Sequence, residues 1–339
     1  MINFYKHNDI DKAKWNRCVA SSSIPTFFAD FDLLSIANPT WGALIEDDYL
    51  SVMPLPCRNK WKVSYIYSPF YISRLGIFST QSITSAKVAE FVAAIPRRFQ
   101  QVDLHLNETN PSDLISSKAG VLVSYRLDLN APYEDIFGHY ATNTKRNVKS
   151  ARSQGLLLDT EIPVSEVISL FRASSRGQDK AVRMGDADYG CFLEMAGFAC
   201  QRGLLDTWGA RTPNGQLIAG ACFLKDAQRT WFWASGRNEE LARFKAMFFI
   251  LDEYIRQHAH QPLVLDFNGS SNPNVARFYR QFGSEKYTCP ALNFTRNGML
   301  KPLIRIYKRM KERGGAQHAV SPICNERINE STNQQINKS

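Results

Sequence analysis

The chain has 339 residues, of which 44% are hydrophobic and 22% charged, and its formal net charge is +9 at pH 7. This length suits two domains of about 150 residues each, and the composition is ordinary for a soluble globular protein. The sequence has no apolar window of the about 18 residues that cross a membrane, and its N-terminus lacks the features of a secretory signal, so we expect a cytoplasmic protein without a transmembrane segment.

Seven cysteines are scattered along the chain, in an odd number and without a Cys-x-x-Cys pair. Most of them have apolar neighbours in the sequence, which is typical of reduced cysteines in a core. The six histidines and seven cysteines show no spacing of the kind that binds zinc. We therefore predict reduced cysteines and no metal site.

Positive charge is concentrated in two places. The stretch from Lys301 to Arg313 holds six basic residues and one glutamate, a net charge of +5. A second cluster, without an acidic residue, consists of Lys145, Arg146, Lys149 and Arg152, and it is followed later by Arg176, Lys180 and Arg183. Such patches attract an anionic partner, whether nucleic acid, a phosphorylated ligand or a membrane surface. Solvated helix faces explain them equally well.

The first half of the chain alternates strand and helix signals. Helical patterns occur at about residues 11–20, 30–37 and 82–95, and the last of them ends at Pro96. Strand-like runs lie at residues 2–5, 42–46, 49–55, 62–67, 102–106 and 121–129. Asp47 and Asp48 form the turn between the second and third strands, and a short helix follows Pro111.

The second half repeats this alternation. Helical patterns occur at residues 132–154, 165–174, 187–202, 240–258 and 273–282, and three of them stop at Gly155, Gly203 and Gly283. Strand-like runs lie at residues 156–162, 205–211, 217–224, 229–234, 263–268 and 285–294. A basic helix is predicted from about Met299. Residues 314–339 are rich in Asn, Gln, Ser and Glu and are predicted to be a disordered tail.

Both halves follow one order: strand, helix, helix, three-strand meander, helix, strand, helix, strand. This order predicts an α/β protein, with a mixed sheet covered by helices, in two tandem domains. We place the first domain at residues 1–130, the second at 131–313 and the tail at 314–339. His105 in the first copy stands about where Asp266 stands in the second.

Five segments carry a family resemblance. They are HYATNTKRNVKSARSQGLLLD, QLIAGACFLKDAQRTWFWASGRNEELARFKAMFFILDEYI and LDFNGSSNPNVARFYRQFG in the second half, and WGALIEDDYLSVMPLP and IYSPFYISRLGIFS in the first. Together with the element order, they make residues 1–312 resemble the GNAT (N-acetyltransferase) fold as it is duplicated in the FemABX-like aminoacyltransferases. The resemblance implies two tandem GNAT-like domains and transfer of an acyl or aminoacyl group to an amine, with the first domain degenerate and the active site in the second.

The resemblance also implies the reactants. The activated donor would be an acyl-CoA, an acyl-carrier protein or an aminoacyl-tRNA, used as a co-substrate with no bound cofactor, and the acceptor would be an amine such as a peptidoglycan or other cell-wall precursor. The chain departs from the family pattern in two ways. It has no room for a long helical arm in the second domain, and the glycine-rich turn before the long helix reads SGRNEELARFKA. Because helix starts bind anions, Arg237, Arg243 and Lys245 are candidates for holding a donor phosphate there.

Amide formation needs a neutral amine, a hydrogen-bond donor for the developing oxyanion and close contact of the reactants. Asp266, in the apolar run VLDF, is the first candidate for accepting a proton or orienting the amine, since burial raises the pKa of a carboxyl. Alternatively, it caps the next turn or pairs with Arg277. Tyr279 is a candidate acid for the leaving group or a packing residue. Glu239 is a second candidate base or a favourable charge near a helix start.

The turn after the Asp266 strand contains two further candidates. Asn268 and Asn272 either hydrogen-bond a ligand or hold the turn. Because the two copies differ at His105 and Asp266, we predict that the second domain binds the donor. The acceptor would then bind in the cleft between the domains, which the loop from Pro69 to Phe78 helps to form.

A function of another class stays open. No segment resembles a helix-turn-helix, RRM or KH pattern, so we expect no sequence-specific recognition of DNA. The basic faces are also compatible with a non-catalytic binding protein of the same fold that holds an anionic polymer or a membrane surface. Salt-sensitive binding without acyl transfer would distinguish that function from the enzymatic one.

Overall fold

A computed structural model of the chain describes residues 1–60, 63–174, 184–226, 228–268, 273–296 and 298, so the predicted basic helix and tail lie outside the described residues. The elements before residue 130 are β1 (Ile2–Lys6), α1 (Lys12–Ala20), α2 (Phe31–Ala37), β2 (Gly42–Glu46), β3 (Ser51–Leu55), β4 (Cys57–Lys60), β5 (Val63–Tyr67), β6 (Phe78–Ser79), α3 (Ser85–Ala94), β7 (Phe99–His105) and β8 (Ala119–Asp128).

The elements after residue 130 follow the predicted order closely. They are α4 (Tyr133–Gly138), α5 (Thr142–Ser153), β9 (Leu157–Asp159), α6 (Val164–Ala173), α7 (Asp186–Gln201), β10 (Leu205–Arg211), β11 (Leu217–Lys225), β12 (Arg229–Arg237), α8 (Ala246–His258), β13 (Val264–Asp266), α9 (Pro273–Arg280) and β14 (Glu285–Thr295). With the elements of the first part, they confirm the prediction of a mixed α/β architecture.

Two of the predicted helices have different bounds in the structure. The long helix predicted from residue 240 begins at Ala246, because Lys245 has a left-handed backbone (φ 56°) and only a short 3-10 turn, Ala242–Phe244, precedes it. The helical region predicted at 132–154 is two helices, since α4 ends at Gly138 and α5 starts at Thr142.

Glycine ends three of the helical regions as predicted. Gly155, Gly203 and Gly283 have φ values of 68°, 67° and 75°. This left-handed conformation carries no steric penalty for glycine and reverses the chain after a helix.

The strands of the first part separate into two sheets at Pro56. One sheet has the order β1-β2-β3-β6, and the second, ten-stranded sheet begins with β4 and β5. Proline has no backbone N–H and cannot donate to a sheet ladder, and it lies between β3 and β4. The predicted run at residues 49–55 therefore becomes β3 of the first sheet, whereas β4, in the second sheet, and β6 are additions to the predicted elements.

The two halves of the chain share the ten-stranded sheet by exchanging strands. Its order is β4-β5-β7-β14-β8-β13-β12-β11-β10-β9. The last described strand, β14, lies between β7 and β8 and is antiparallel to both, and β8 in turn pairs with β13. The sheet is therefore continuous across residue 130.

A row of glycines crosses the second half of this sheet. Gly209 pairs with Gly220, and Gly220 pairs with Gly236. A Cβ at Gly236 would lie 2.3 Å from the backbone nitrogen of Phe171, and one at Gly220 would lie 3.0 Å from Val167 Cγ2. The missing side chains therefore allow α6 to pack directly on the backbone of the sheet.

Buried side chains form two cores. One joins the first half of the chain to α6, α7 and one face of β12, including Trp231 and Trp233. The other gathers α4, α5, α8 and α9 against the opposite face, including Phe232 and Phe267. Both faces of the second half are thus covered by helices, which leaves the strand ends as the place for a ligand.

Candidate functional site

The ten-stranded sheet opens between β12 and β13. The two strands pair in parallel only where residues 229–231 meet Val264–Asp266, whereas β12 continues to Arg237. Past Trp231 and Asp266 the strands are no longer partners, and the chain after β12 leads to the start of α8. The carboxyl ends of neighbouring parallel strands are where open α/β sheets bind ligands.

A cavity of about 240 Å³ lies at the N-terminus of α8. Its lining residues are Ile218, Arg237, Asn238, Leu241, Ala242, Lys245, Ala246, Met247 and Phe248. No side chain caps α8 at Lys245. The first N–H groups of a helix lack partners within the helix and carry partial positive charge. The cavity therefore combines backbone donors with two cationic side chains.

Of the three cations predicted to hold a phosphate, two line this cavity. Arg237 is exposed and its Nη2 donates to Glu239 Oε2 at 2.9 Å. Lys245 is exposed at the start of the helix. Arg243 is exposed over the ring of Phe244, at 5.0 Å from the ring centroid, and is not a lining residue. An exposed ion pair contributes little free energy. An anionic ligand can therefore replace Glu239 as the partner of Arg237 at a small cost in free energy.

Asp266 lies at the other end of the opening and is completely buried. Its Oδ1 accepts hydrogen bonds from the backbone N–H of Asn268 at 2.8 Å and from Ser124 Oγ at 3.3 Å. Its Oδ2 accepts from Arg229 Nη1 at 3.2 Å and from the hydroxyl of Tyr287. A carboxylate has about four lone-pair sites, so these four donors occupy its capacity.

The charge state of Asp266 is set by opposing effects. Burial raises the pKa of this carboxyl, while Arg229, the Tyr287 hydroxyl and Arg74 oppose that rise by favouring the anion. The cation beside Asp266 is Arg229, whereas Arg277 is exposed on α9. Asp266 thus caps the turn that follows it and pairs with an arginine from the neighbouring strand.

The first half of the chain contributes to this cluster. Glu108 Oε1 accepts from Arg229 Nη2 at 2.7 Å. Arg74 is buried and Tyr287 is half-buried, and the pKa of the Tyr287 hydroxyl is raised first by desolvation and then by Asp266. We call Arg74, Glu108, Arg229, Asp266 and Tyr287 the buried ionic cluster. It joins the two halves through side chains more than 100 residues apart in sequence.

The loop predicted to line the cleft does contact the second half. The carbonyl of Tyr71 accepts from Trp233 Nε1 at 2.7 Å. Ser73 Oγ donates to Asn268 Oδ1, and Asn268 has a left-handed backbone with φ 61°. Asn268 therefore holds the turn after β13 and links it to the first half. Asn272 lies outside the described residues.

The remaining candidates occupy separate places. Tyr279 is buried, with its ring stacked on Phe267 at a centroid distance of 4.9 Å. His105, half-buried at the end of β7, has its pKa lowered by burial and then by Arg74. Glu239 lies in the loop before α8 and contacts Arg237. Thus Asp266 and Asn268 come together with the cluster, whereas Glu239 contacts the cavity residue Arg237 without lining the cavity itself.

The two parts of the site are connected by β12. Asp266 pairs with Trp231, and Arg237 lies six positions further along the extended strand, a span of roughly 20 Å. A ligand with its anionic group in the cavity would need an extended arm to reach the Asp266 end of the opening.

Sequence reasoning did not identify Arg74, Glu108, Arg229 or Tyr287. Arg229 begins a strand of bulky apolar residues, RTWFW, and a charge in such a run is a signal of a buried partner. The other three stand in segments without any such contrast, and only the strand exchange brings them together.

The basic cluster on α5 has a different arrangement from the one predicted. Arg152 Nη2 lies 2.7 Å from Asp252 Oδ2 and 3.0 Å from Glu253 Oε1. Lys145 Nζ donates to the carbonyl of Gly138 at 2.7 Å. These two cations hold α5 against its neighbours, whereas Arg146 and Lys149 are exposed and make no ion pair among the described residues. The predicted companions Arg176, Lys180 and Arg183 lie outside the described residues.

The described residues contain neither a membrane-spanning helix nor a cluster of metal ligands. None of their helices is both long and apolar enough to span a membrane. Within the same ranges, no group of three or more His, Cys, Asp or Glu side chains is placed to hold a metal ion.

Comparison with known proteins connects this geometry to a family. Residues 139–281 match the family model described as acetyltransferase (GNAT) domain. This match covers α5 to α9, with the cavity and Asp266. No curated protein sequence matches the chain significantly.

Solved structures resemble nearly the whole chain. The crystal structure of FemX is 10% identical, with 88% of this chain and 98% of that chain covered and a TM-score of 0.60. The C-terminal domain of a putative lysylphosphatidylglycerol synthetase from Agrobacterium fabrum is 11% identical (91% and 100% covered, TM-score 0.55). L-PGS from Bacillus licheniformis is 9% identical (90% and 98% covered, TM-score 0.54). At these identities the likeness is one of fold.

Proposed function

We propose that this chain moves an acyl or aminoacyl group from an activated donor to an amine and belongs with the FemABX-like proteins of the GNAT superfamily. It carries an acyltransferase domain of the GNAT family and resembles FemX in fold. The observation that carries the proposal is the opening between β12 and β13, with a cavity at the N-terminus of α8 at one end and the Asp266 turn at the other.

The cavity supports binding of the donor through phosphate. Backbone N–H groups at the start of α8, with Lys245 and Arg237, offer charge-assisted hydrogen bonds to an anionic group. Acyl-CoA, acyl-carrier protein and aminoacyl-tRNA all present a phosphate at a distance from the reactive carbonyl. The donor would lie along β12, with its acyl group beside Trp231 and Asp266.

The chemistry would be direct attack of a neutral amine on the ester or thioester carbonyl. The amine nitrogen forms the new bond to the carbonyl carbon, and the thiol or hydroxyl of the donor leaves with a proton. Asp266 with its four donors fixes the turn at Asn268, and this fixed turn would orient the acceptor. For the acceptor we propose an amine of a cell-envelope precursor. The first half of the chain would bind it through the loop of Tyr71 and Ser73.

A donor screen tests the proposal. Purified full-length protein would be presented with acetyl-CoA, longer acyl-CoAs, acyl-carrier protein and charged tRNA, with and without amines. Thermal shift would report binding and mass spectrometry would report transfer. A selective shift with one donor, and a product with an amine, would support the function.

Variants tie that result to the cavity. Lys245→Asn removes the charge but tolerates the left-handed backbone, and Arg237→Gln removes the other cation. We expect each to weaken donor binding by at least about tenfold, since a hydrogen bond to a charged group contributes about 1.5–3 kcal/mol. Arg17→Gln, an exposed cation on α1, is the matched control and should bind normally.

Failure of the proposal would also be clear. If no donor binds and no amine is acylated, while anionic polymers bind in a salt-sensitive way, the chain is a non-catalytic binding protein of this fold. If a donor binds equally well to the Lys245 and Arg237 variants, the cavity is not the donor site.

A further inference from the structure

Four exposed arginines gather at one edge of the molecule, beside the end of the ten-stranded sheet: Arg58, Arg97, Arg98 and Arg296. We call them the arginine edge. Arg97 and Arg98 are consecutive in the turn between α3 and β7. Arg296 Nη2 donates to the carbonyl of Ile95 at 2.8 Å, which fixes it beside the same turn. Arg58 lies on β4 next to Cys57, whose thiol is within electrostatic range of Arg98. Arg97, Arg98 and Arg296 therefore lie at one turn, and Arg58 lies on the edge strand of the same sheet.

Within the described part of the chain, no acidic side chain forms an ion pair with the arginine edge. The ion pairs made by arginines of the described residues involve other arginines: 126, 152, 172, 202, 211, 229, 237 and 256. Arg296 has its pKa lowered by partial burial and then by repulsion from Arg97. Like charges held close together without a counter-charge are unfavourable, and an anion bound at this edge would relieve the repulsion.

The guanidinium groups are held against aromatic rings. Arg98 lies over Phe4 at 4.5 Å and over Phe99 at 4.9 Å from the ring centroids. Arg58 lies 4.5 Å from the ring centroid of Tyr67. Stacking on a ring fixes a guanidinium while its N–H groups stay free for phosphate oxygens. Ring contacts thus hold two of the four arginines, Arg58 and Arg98, in place.

The sequence that follows this edge is also basic. The last described strand, β14, ends at Thr295, directly before Arg296. The stretch from Lys301 to Arg313 then carries a net charge of +5. Positive charge in the sequence therefore continues from the point where the described chain reaches the arginine edge.

We propose that the arginine edge is a docking surface for the phosphate headgroups of an anionic phospholipid membrane. A membrane presents a plane of phosphates, and clusters of basic residues bind such planes without a groove. A single-stranded nucleic acid would instead need aromatic faces open for base stacking. Here Phe99 is buried, and the rings of Phe4 and Tyr67 are half-buried and covered by guanidinium groups. The surface thus fits lipid headgroups better.

Vesicle sedimentation tests the proposal with the full-length protein. The probe would be phosphatidylcholine vesicles with and without phosphatidylglycerol, at an ionic strength of about 0.1 M. We expect binding only to vesicles that contain phosphatidylglycerol. Arg97→Gln/Arg98→Gln should weaken it by about 30-fold, because each basic residue near an anionic surface contributes about 1 kcal/mol.

Two further variants make the result specific. Arg146→Gln/Lys149→Gln removes the same charge from an exposed face of α5 and should change binding less than about twofold. Arg97→Lys/Arg98→Lys keeps the charge and should restore most of the binding. Equal losses of vesicle binding in the two glutamine variants would overturn the proposal. Vesicle binding that does not depend on phosphatidylglycerol would also overturn it. Binding of tRNA through Arg97 and Arg98 in the absence of vesicle binding would overturn it in favour of a nucleic-acid partner.

Discussion

Asp266 shows how far a single residue depends on its partners. Its four hydrogen-bond donors come from the next turn, from β8, from β12 and from β14. These donors use all of the lone-pair positions of the carboxylate in the folded protein. Uptake of a proton from a substrate amine would therefore require one donor to be displaced. The geometry favours a positioning role for Asp266, and its role as a base stays a prediction.

Replacement of Asp266 tests both roles. Asp266→Asn leaves Arg229 and Arg74 buried with only Glu108 as an acidic partner, and loss of one member of a buried ion pair costs about 3–5 kcal/mol. We expect the free energy of unfolding, measured by chemical denaturation, to fall by about 3 kcal/mol. Asp135→Asn, on an exposed position of α4, should change it by less than about 0.5 kcal/mol.

The same variant separates positioning from proton transfer once a donor is known. If Asp266 positions the turn, kcat should fall while the pH dependence of kcat/KM keeps its shape. Loss of the acidic limb of that profile would instead support a base role. Unchanged turnover in a folded variant would contradict both.

A second buried carboxyl, that of Asp252, affects the stability of the protein rather than the candidate site. Asp252 on α8 accepts from the Tyr133 hydroxyl at 3.0 Å and lies 2.7 Å from Arg152 Nη2. Burial raises the pKa of this carboxyl from its ordinary value of 3.8 to about 6, against the opposing effect of Arg152. The folded protein therefore binds a proton at Asp252 more tightly than the unfolded chain does.

This shift predicts a pH dependence. The folded-state pKa of Asp252 is above the unfolded value, so its stabilising contribution is full below about pH 4 and is lost as the pH rises through about 6. The Asp252→Asn variant has no carboxyl at this position, so its free energy of unfolding does not fall in this way as the pH rises. Relative to the unaltered protein, the variant should gain about 2 kcal/mol in free energy of unfolding between pH 4 and pH 7.5. A constant difference across that range would show that Asp252 titrates normally.

At the scale of elements, the glycine row decides how α6 meets the sheet. Gly236→Ala would place a Cβ 2.3 Å from the Phe171 nitrogen, and backbone atoms cannot rotate away. We expect α6 to shift and the free energy of unfolding to fall by about 3 kcal/mol, as for other overpacked sites. Chemical denaturation measures this change.

A glycine without neighbours provides the control. Gly190 lies inside α7, and a Cβ there would meet nothing within 4 Å. Gly190→Ala should therefore stabilise the protein by about 0.5–1 kcal/mol through helix propensity. Similar losses in the free energy of unfolding in the two variants would mean that the close approach of α6 does not explain the need for glycine at position 236.

The start of α8 is where the fold forms the candidate donor-binding cavity. The sequence predicted helix from residue 240, but the left-handed backbone at Lys245 delays it to Ala246. That delay gives α8 a start without a side-chain cap, at the place where the cavity lies. Propensity alone did not predict it, because residues 240–244 are ordinary helix formers and the turn depends on tertiary packing.

At the scale of the whole molecule, the strand exchange makes the two halves dependent on each other. β14 belongs to the second half in sequence, yet it pairs with β7 and β8 of the first. The buried ionic cluster and the indole of Trp233 add contacts between the halves. Opening of the cleft by rotation of one half would break this sheet, so we expect the halves to move little relative to each other.

Expression of separate halves tests this dependence. A fragment of residues 131–339 would leave both edges of β14 unpaired, and exposed edges aggregate. We expect it to be insoluble or unfolded alone, and to give a folded complex when co-expressed with residues 1–130. Circular dichroism and a cooperative thermal transition would report folding. A cooperative transition of the 131–339 fragment alone would show that the second domain is independent.

The amino-acid sequence was enough to predict the order of elements, the glycine ends of the helices, the mixed α/β class and the two cations at the start of α8. These features depend on local patterns: hydrophobic periodicity, turn residues and residues near a helix start. It also singled out Asp266, since a carboxylate in an apolar strand is unusual.

Only the tertiary structure decided which residues surround Asp266. Ser124 lies 142 residues from Asp266, and the Arg229–Glu108 pair spans 121 residues. The strand exchange, the separation of the sheets at Pro56 and the alignment of the three glycines likewise depend on pairing between distant strands. Periodicity identifies a strand but not its neighbour, because any strand of matching polarity can satisfy the same backbone hydrogen bonds.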